Sequence, residues 1–185
     1  MTDYGLLAKQ IVSLAEVDAH WLPVLSNAAA LLWDALDDIN WAGFYLVDPA
    51  TVSGAGLELG ATPSAHDSRT PELRLGPFQG KIACVRIPFG RGVCGTAAAK
   101  KTSQLVEDVH QFPGHIACDS ASNSEVVVPI FKDDQVVGVL DIDSPNVARF
   151  TQEDLAGLEQ VVKVLESCTN FSAFCEERLG SLVRA

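Results

Sequence analysis

Residues 124–145 read SEVVVPIFKDDQVVGVLDIDSP, and this stretch decides the fold. Two runs of aliphatic and β-branched residues, 125–131 and 136–143, flank Lys132, Asp133 and Asp134, a pattern that predicts a β-hairpin. Downstream, Thr151 with Asp154 three residues later has the form of a helix-starting capping box. Leu155, Leu158, Val162 and Leu165 then give a closing helix its apolar stripe. Upstream, strand signals fall at 82–88 and at 40–47 (NWAGFYLV), and a short alanine-rich helix over 93–101 follows Gly90-Arg91-Gly92. Two amphipathic helices over 4–16 and 22–36 open the chain. Residues 49–72, dense in Pro, Gly, Ser and Thr, read as a mobile surface loop, and 104–121 as an irregular stretch. These elements predict a single α+β domain over 1–185, with N- and C-terminal helices packed on a largely antiparallel central sheet.

The composition supports one domain with a sizeable core. The chain has 185 residues, of which 48% are hydrophobic and 20% charged, too apolar for a disordered chain. Its 13 Lys and Arg stand against 24 Asp and Glu, a formal charge of −11, and no basic run occurs. Nucleic acid and anionic membrane surfaces are therefore poor partners. No apolar run approaches the roughly 20 residues needed to span a bilayer, and no leader pattern opens the sequence, so a cytoplasmic protein is expected.

Five cysteines remain to be explained, at positions 84, 94, 118, 168 and 175. A cytoplasmic chain does not favour a structural disulfide framework, and no C-x-x-C pair points to zinc. Cys168 and Cys175 continue the last helix's stripe and read as core. Cys84, in KIACVRI, fits either core or site. Cys94 sits where a glycine-rich turn meets a helix start, where unpaired N–H groups favour a thiolate. Cys118 lies in FPGHIACDSASNSE, an irregular segment with His115 three residues before it. The last three, in punctuated segments rather than on stripes, suggest thiol redox chemistry with an attacking and a resolving sulfur. His110 and His115 themselves read as loop hydrogen-bonders, with no spacing that suggests a metal.

Two acids stand on the second strand of the hairpin. Asp141 and Asp143 are two residues apart and share one face, where propensity and mutual repulsion disfavour both. The plain reading is a solvent-facing strand end. The functional reading is a cluster that grips an ammonium group or keeps a proton for general acid catalysis. Glu125 on the partner strand joins the cluster only in the right register. A three-residue loop over 132–134 pairs Phe131 with Gln135 and places Glu125 opposite Asp141. A two-residue loop turns Glu125 to the other face unless a bulge corrects it.

The segments NWAGFYL (40–46), LGPFQGKIAC (75–84), GRGVCGTAA (90–98), DVHQFPGHIACDS (108–120), SEVVVPI (124–130) and GVLDIDSP (138–145) together resemble the free methionine-(R)-sulfoxide reductases. That family is a stand-alone GAF domain acting on the free amino acid. The likeness runs from about residue 4 to 165, with 49–72 longer than the family's connection. It implies a GAF-like fold and a thioredoxin-dependent oxidoreductase with no metal and no bound cofactor. By that resemblance Cys118 is the nucleophile that becomes a sulfenic acid as methionine leaves. Cys84 is its resolving partner in a disulfide that thioredoxin reduces, and Cys94 is a second candidate partner. Glu125, Asp141 and Asp143 bind the substrate ammonium and protonate the sulfoxide oxygen. Trp41 and Tyr45 embrace the methyl group, and backbone N–H groups near Ile116, Ala117 and Cys118 take the carboxylate.

The residues by themselves favour Cys94 over Cys118 as the low-pKa thiol, because of the helix start. A second reading of the fold is a sensory GAF module binding a small molecule such as a cyclic nucleotide, against which stand three cysteines that a passive sensor does not need. Homodimerisation through the N-terminal helices, which carry Trp21 and Trp33, is compatible with either reading.

Overall fold

The computed structural model describes residues 2–48, 51, 70–116 and 120–172. Helix α1 (Tyr4–Val17) is capped by Asp3, whose carboxylate accepts from the backbone N–H of Leu6, and buries Leu7, Ile11 and Ala15 along one stripe. Helix α2 (Trp21–Ala35) buries Val24, Leu25, Ala28 and Leu32 in the same way. The final helix α4 (Gln152–Cys168) starts in the expected capping box: Thr151 and Asp154 each bond the other's backbone N–H. Helices α2 and α4 pack on one face of a six-stranded antiparallel sheet, and α1 packs against both of them.

The sheet is formed by β1 (Trp41–Val47), β2 (Glu72–Gly80), β3 (Arg86–Pro88), β4 (Gln104–Val106), β5 (Ser124–Lys132) and β6 (Gln135–Ser144), in the order β3-β2-β1-β6-β5-β4. The hairpin that decided the fold thus lies beside β1 near the centre of the sheet. Two short outer strands differ from expectation. Strand β3 begins at Arg86, not at residue 82, and β4 falls within the stretch read as irregular. Strand β2 was hidden by Gly76, Pro77 and Gly80, which interrupt its pattern; its pairing with β1 jumps from Gly43↔Phe78 to Tyr45↔Leu75, a bulge at Gly76-Pro77. Of the segment read as a loop, residues 49, 50 and 52–69 lie outside the described residues.

Alternation along the strands sorts side chains between two cores. Ala42, Phe44, Leu140, Ile142, Val126 and Val128 face α1, α2 and α4. Trp41, Tyr45, Val127 and Val139 face the other way, against helix α3 (Gly92–Lys100), which covers the second face with Val93, Ala97 and Ala98. Cys168 is half-buried against the first core, as its stripe predicted, while Cys175 lies outside the described residues. Trp21 also packs on that core, whereas Trp33 is 40% exposed.

The hairpin register resolves the two alternatives. Lys132 pairs with Gln135, so the loop has two residues, Asp133 and Asp134, both left-handed with φ of 49° and 61°. Such a loop alone sets Glu125 opposite Ile142, driving a carboxyl into the helix-facing core. Instead the pairing shifts between Phe131↔Val136 and Ile130↔Gly138, leaving Val137 as an extra residue in β6. The bulge restores parity, and Glu125 faces Asp143 rather than Asp141. Gly138 follows directly; a Cβ there would lie 2.6 Å from the Tyr45 carbonyl oxygen.

Candidate active site

The second face of the sheet brings together side chains that sequence placed far apart. Asp143 of β6 stands between Glu125 of β5 and Trp41 of β1, each its direct cross-strand partner. Asp141, one pleat along, has Gly43 as its β1 partner. No side chain fits at that glycine, because a Cβ would meet Phe78 Cβ at 2.3 Å and the Trp41 ring at 2.8 Å. Trp41 is held accordingly: it stacks on Phe78 at 5.3 Å and on Tyr45 at 5.6 Å between ring centroids, and its Nε1–H donates to the Lys81 carbonyl at 3.2 Å. That last bond ties the aromatic cluster to the segment carrying Cys84.

Helix α3 lowers its first turn onto the acids. Gly95 has no room for a Cβ, which would fall 2.2 Å from the Pro88 carbonyl oxygen, so the helix start lies close against the end of β3. Gly92, with φ of 60°, donates its N–H to the Gly114 carbonyl at 3.2 Å and so joins the helix start to the loop that follows β4. Cys94, the third residue of α3, points its Sγ at Glu125, the thiol donating to Oε1 at 3.8 Å. From the loop, His115 Nε2 lies 4.0 Å from Glu125 Oε2. A cavity of about 20 Å³ remains between Cys94, His115, Ile116, Glu125, Asp141 and Asp143.

Burial sets the electrostatics. Glu125 is 6% exposed and Asp141 5% exposed. Burial, then the charges of Asp141 and Asp143, push the Glu125 carboxyl well above its ordinary range. Burial lifts Asp141 to about 6, partly offset by hydrogen bonds from Cys94 and Glu125. One of its oxygens, Oδ1, is buried with no hydrogen-bond partner. Burial, followed by Asp141, likewise raises the Tyr45 phenol, and burial, then His110, lowers His115.

The helix-start reading of Cys94 is overturned by this environment. Desolvation, then the neighbouring Asp141 and Glu125 charges, raise its thiol well above the ordinary value. The partial charge at a helix N-terminus is worth about a kilocalorie per mole and does not offset full burial against two carboxyls. Cys94 is a thiol donor here, not a thiolate. Cys84 is half-buried against the same aromatic core and is disulfide-bonded, whereas Cys94 and Cys168 are free. Ala117 and Cys118 lie outside the described residues, and Ile116 lines the cavity.

The fold brings the acid cluster, Cys94 and Ile116 to one cavity, with the Trp41–Tyr45 stack on the same face of the sheet. Sequence reasoning missed Phe78, Ser122 and the place of His115. Phe78 was legible only through the hidden strand β2. Ser122 also lines the cavity and accepts from Asn40 Nδ2 at 3.0 Å, a contact that spans the sheet. His115, read as a loop hydrogen-bonder, lines the cavity instead, while His110 keeps that role by pairing with Asn123 Oδ1 at 2.9 Å.

A GAF domain family model matches residues 24–167. The free methionine-R-sulfoxide reductase of Escherichia coli is 50% identical over 163 residues, which cover 88% of this chain and 86% of that one. The chain belongs to the free methionine-R-sulfoxide reductase family. Among solved structures, fRMsr of Staphylococcus aureus in complex with substrate superposes with a TM-score of 0.76 at 49% identity, covering 92% of this chain and 97% of that one. The Neisseria meningitidis free methionine-R-sulfoxide reductase, also in complex with its substrate, gives 0.74 at 43% identity, covering 89% and 86%. Membership in this reductase family accords with the curled antiparallel sheet and its helical cover. Among the described residues no helix is long and apolar enough to cross a membrane.

Proposed function

We propose that this chain reduces free L-methionine-(R)-sulfoxide to L-methionine, with thioredoxin as the external reductant. The observation that carries the reading is the acid set of buried Glu125 and Asp141 with half-buried Asp143, set beside the Trp41–Tyr45 stack. A free amino acid carries an ammonium group that a peptide-bound residue lacks, and Asp141 and Asp143 on one sheet face supply its counter-charge. The stacked rings offer an apolar wall to the methyl group. Glu125, held protonated by burial, is the acid of choice for the sulfoxide oxygen, which leaves sulfur only when protonated.

In this reading Cys118 attacks the sulfoxide sulfur as a thiolate. Its electron pair forms the new bond to sulfur, the oxygen takes a proton from Glu125, and hydroxyl passes to Cys118 as methionine leaves. The resulting sulfenic acid is attacked by Cys84; an S–S bond forms and water departs. Thioredoxin then reduces the disulfide, supplying two electrons and two protons. The disulfide-bonded state of Cys84 supports its part as the resolving sulfur. The raised Cys94 thiol is a poor nucleophile.

The test is thioredoxin-coupled turnover with free R and S sulfoxides, followed by sulfenate trapping in single turnovers of Cys84→Ser, Cys94→Ser and Cys118→Ser. Turnover of the R form is expected, with trapping abolished only in Cys118→Ser. Sulfenate that persists without Cys118 and disappears without Cys94 transfers the attack to Cys94. Activity on neither sulfoxide, together with nucleotide binding, would instead establish the sensory reading.

A further inference from the structure

We propose that Cys94, Glu125 and Asp141 form a binding site for a borderline-soft divalent cation, represented by Zn²⁺, and that the bound cation excludes the substrate's ammonium group. The exclusion rests on the substrate reading above; the metal site does not. One ligand atom from each of the three residues lies within 4.8 Å of the other two, and all three residues are buried. They come from α3, β5 and β6, so the site is assembled by tertiary structure and leaves no ligand spacing in the sequence. The independent observation is Asp141 Oδ1, a buried carboxylate oxygen without a hydrogen-bond partner on a residue that lines the cavity. Leaving such an oxygen unmatched in the interior is unfavourable, because its desolvation is not offset. A cation in the cavity would satisfy it.

The donor set selects the metal. One thiolate and two carboxylates leave a fourth position open, the arrangement zinc adopts with three protein ligands. A thiolate ligand disfavours magnesium and calcium. The cavity of about 20 Å³ admits a single ion. Zinc binds sulfur at about 2.3 Å and oxygen at about 2.0–2.2 Å, so ligand atoms around it sit roughly 3.5 Å apart. The cluster must therefore contract by about 1 Å, within reach of rotations of the Cys94 and Glu125 side chains. Asp143 adds a further acid opposite Glu125, and among the described residues the cavity lining contains no Lys or Arg to compete for the acids. His115, 4.0 Å from Glu125 Oε2, stands at the open side as a fourth ligand or as the partner that orients the glutamate. On binding, the Zn–S bond replaces the S–H bond of Cys94, and its proton and any held by the carboxyls pass to solvent. No electron is transferred.

Zinc is titrated against a chromophoric chelator into metal-free protein whose Cys84 remains in its disulfide. One equivalent is expected, weakened at least tenfold in Cys94→Ala and in Asp141→Asn and unchanged in Cys168→Ala. No binding, or equal binding in all four proteins, overturns the site. Cobalt in the wild-type protein gives a reading that needs no variant to fold: a thiolate-to-cobalt charge-transfer band supports the assignment, and its absence overturns it. For the second half, reduced enzyme without added thiol is examined in single turnovers. Zinc should raise the concentration of methionine sulfoxide needed for half-maximal rate and leave the limiting rate unchanged. A lowered limiting rate at saturating sulfoxide overturns the exclusion. Failure of the metal-free enzyme to turn over either sulfoxide removes the substrate reading, while the equivalence of bound metal is read independently of it.

Discussion

Asp141 shows how a buried carboxyl opposes stability. Its carboxyl holds a proton up to about pH 6, against an ordinary value of 3.8, because burial disfavours the charge. The folded state binds more protons than the unfolded state between those two values, so stability falls as pH rises from about 4 to 6 and the penalty persists above. Asp141→Asn removes that ionisation. We expect it to abolish turnover of free methionine sulfoxide and to raise stability by roughly 1–3 kcal/mol at pH 7, with the gain shrinking toward pH 4. Thermal melts at the two pH values decide this. In the proposed reaction Glu125 carries the opposite requirement, since a general acid must keep its proton. The limiting rate should fall as pH rises through its raised pKa. Glu125→Gln should cut kcat by about 10²–10⁴ and erase that alkaline limb, which a pH–rate profile of both proteins reads directly. The acids were legible because two Asp residues on one strand face violate strand propensity. The state of Cys94 was not, because the helix start is a local signal whereas burial against two carboxyls depends on which strands lie beneath it.

At the scale of elements, the β5–β6 hairpin was readable and its register was not. The two-residue turn places Asp133 and Asp134 in left-handed conformations that an L-residue adopts at a cost. Asp134→Gly should therefore stabilise the protein by about 0.5–1 kcal/mol with reductase activity unchanged, measured by urea unfolding and turnover. The bulge at Val137 has no sequence marker of its own. It forms because the alternative buries Glu125 among the helix-facing apolar residues, a price far above that of one disrupted ladder bond. The start of helix α4 was legible because its capping box is local, whereas the stripe read on to Cys175 overran the helix end at Cys168, where Thr169 caps it in an extended conformation. Thr151→Ala should cost about 1 kcal/mol. Asp154, held below its ordinary value by hydrogen bonds from Tyr4 and Thr151 against opposing burial, contributes stability at neutral pH that is lost as pH falls through its lowered pKa. The Thr151→Ala deficit should accordingly narrow in acid, as guanidinium unfolding at pH 7 and pH 3 will show.

The whole molecule separates stability from chemistry across its sheet. One face carries the larger apolar core under three helices; the other carries the acids, the aromatic stack and α3. Contacts on the first face should therefore affect folding and leave the reaction alone. Gly157 of α4 offers the test, since a Cβ there would lie 2.2 Å from Tyr4 Cδ2 on α1, and Tyr4 is pinned by its hydroxyl bond to Asp154 at 2.6 Å. Gly157→Ala should lower stability by roughly 1–3 kcal/mol while kcat per folded molecule stays within twofold. A large loss of kcat in fully folded variant would show that the two faces are coupled.

The sequence by itself determined the helices, the antiparallel hairpin, the capped start of the closing helix and the acids and cysteines from which a site could be built. Each of these is written in spacing or in contacts within a few positions. Tertiary structure alone decided that Glu125 faces Asp143, that Cys94 is a buried thiol, and that His115, Ser122 and Phe78 join the site. Those outcomes depend on a bulge, a second helix–sheet interface and a strand interrupted by glycine and proline. Their energies arise from burial and from charges brought together across the fold, and residues distant in sequence acquire those surroundings only when the chain closes on itself.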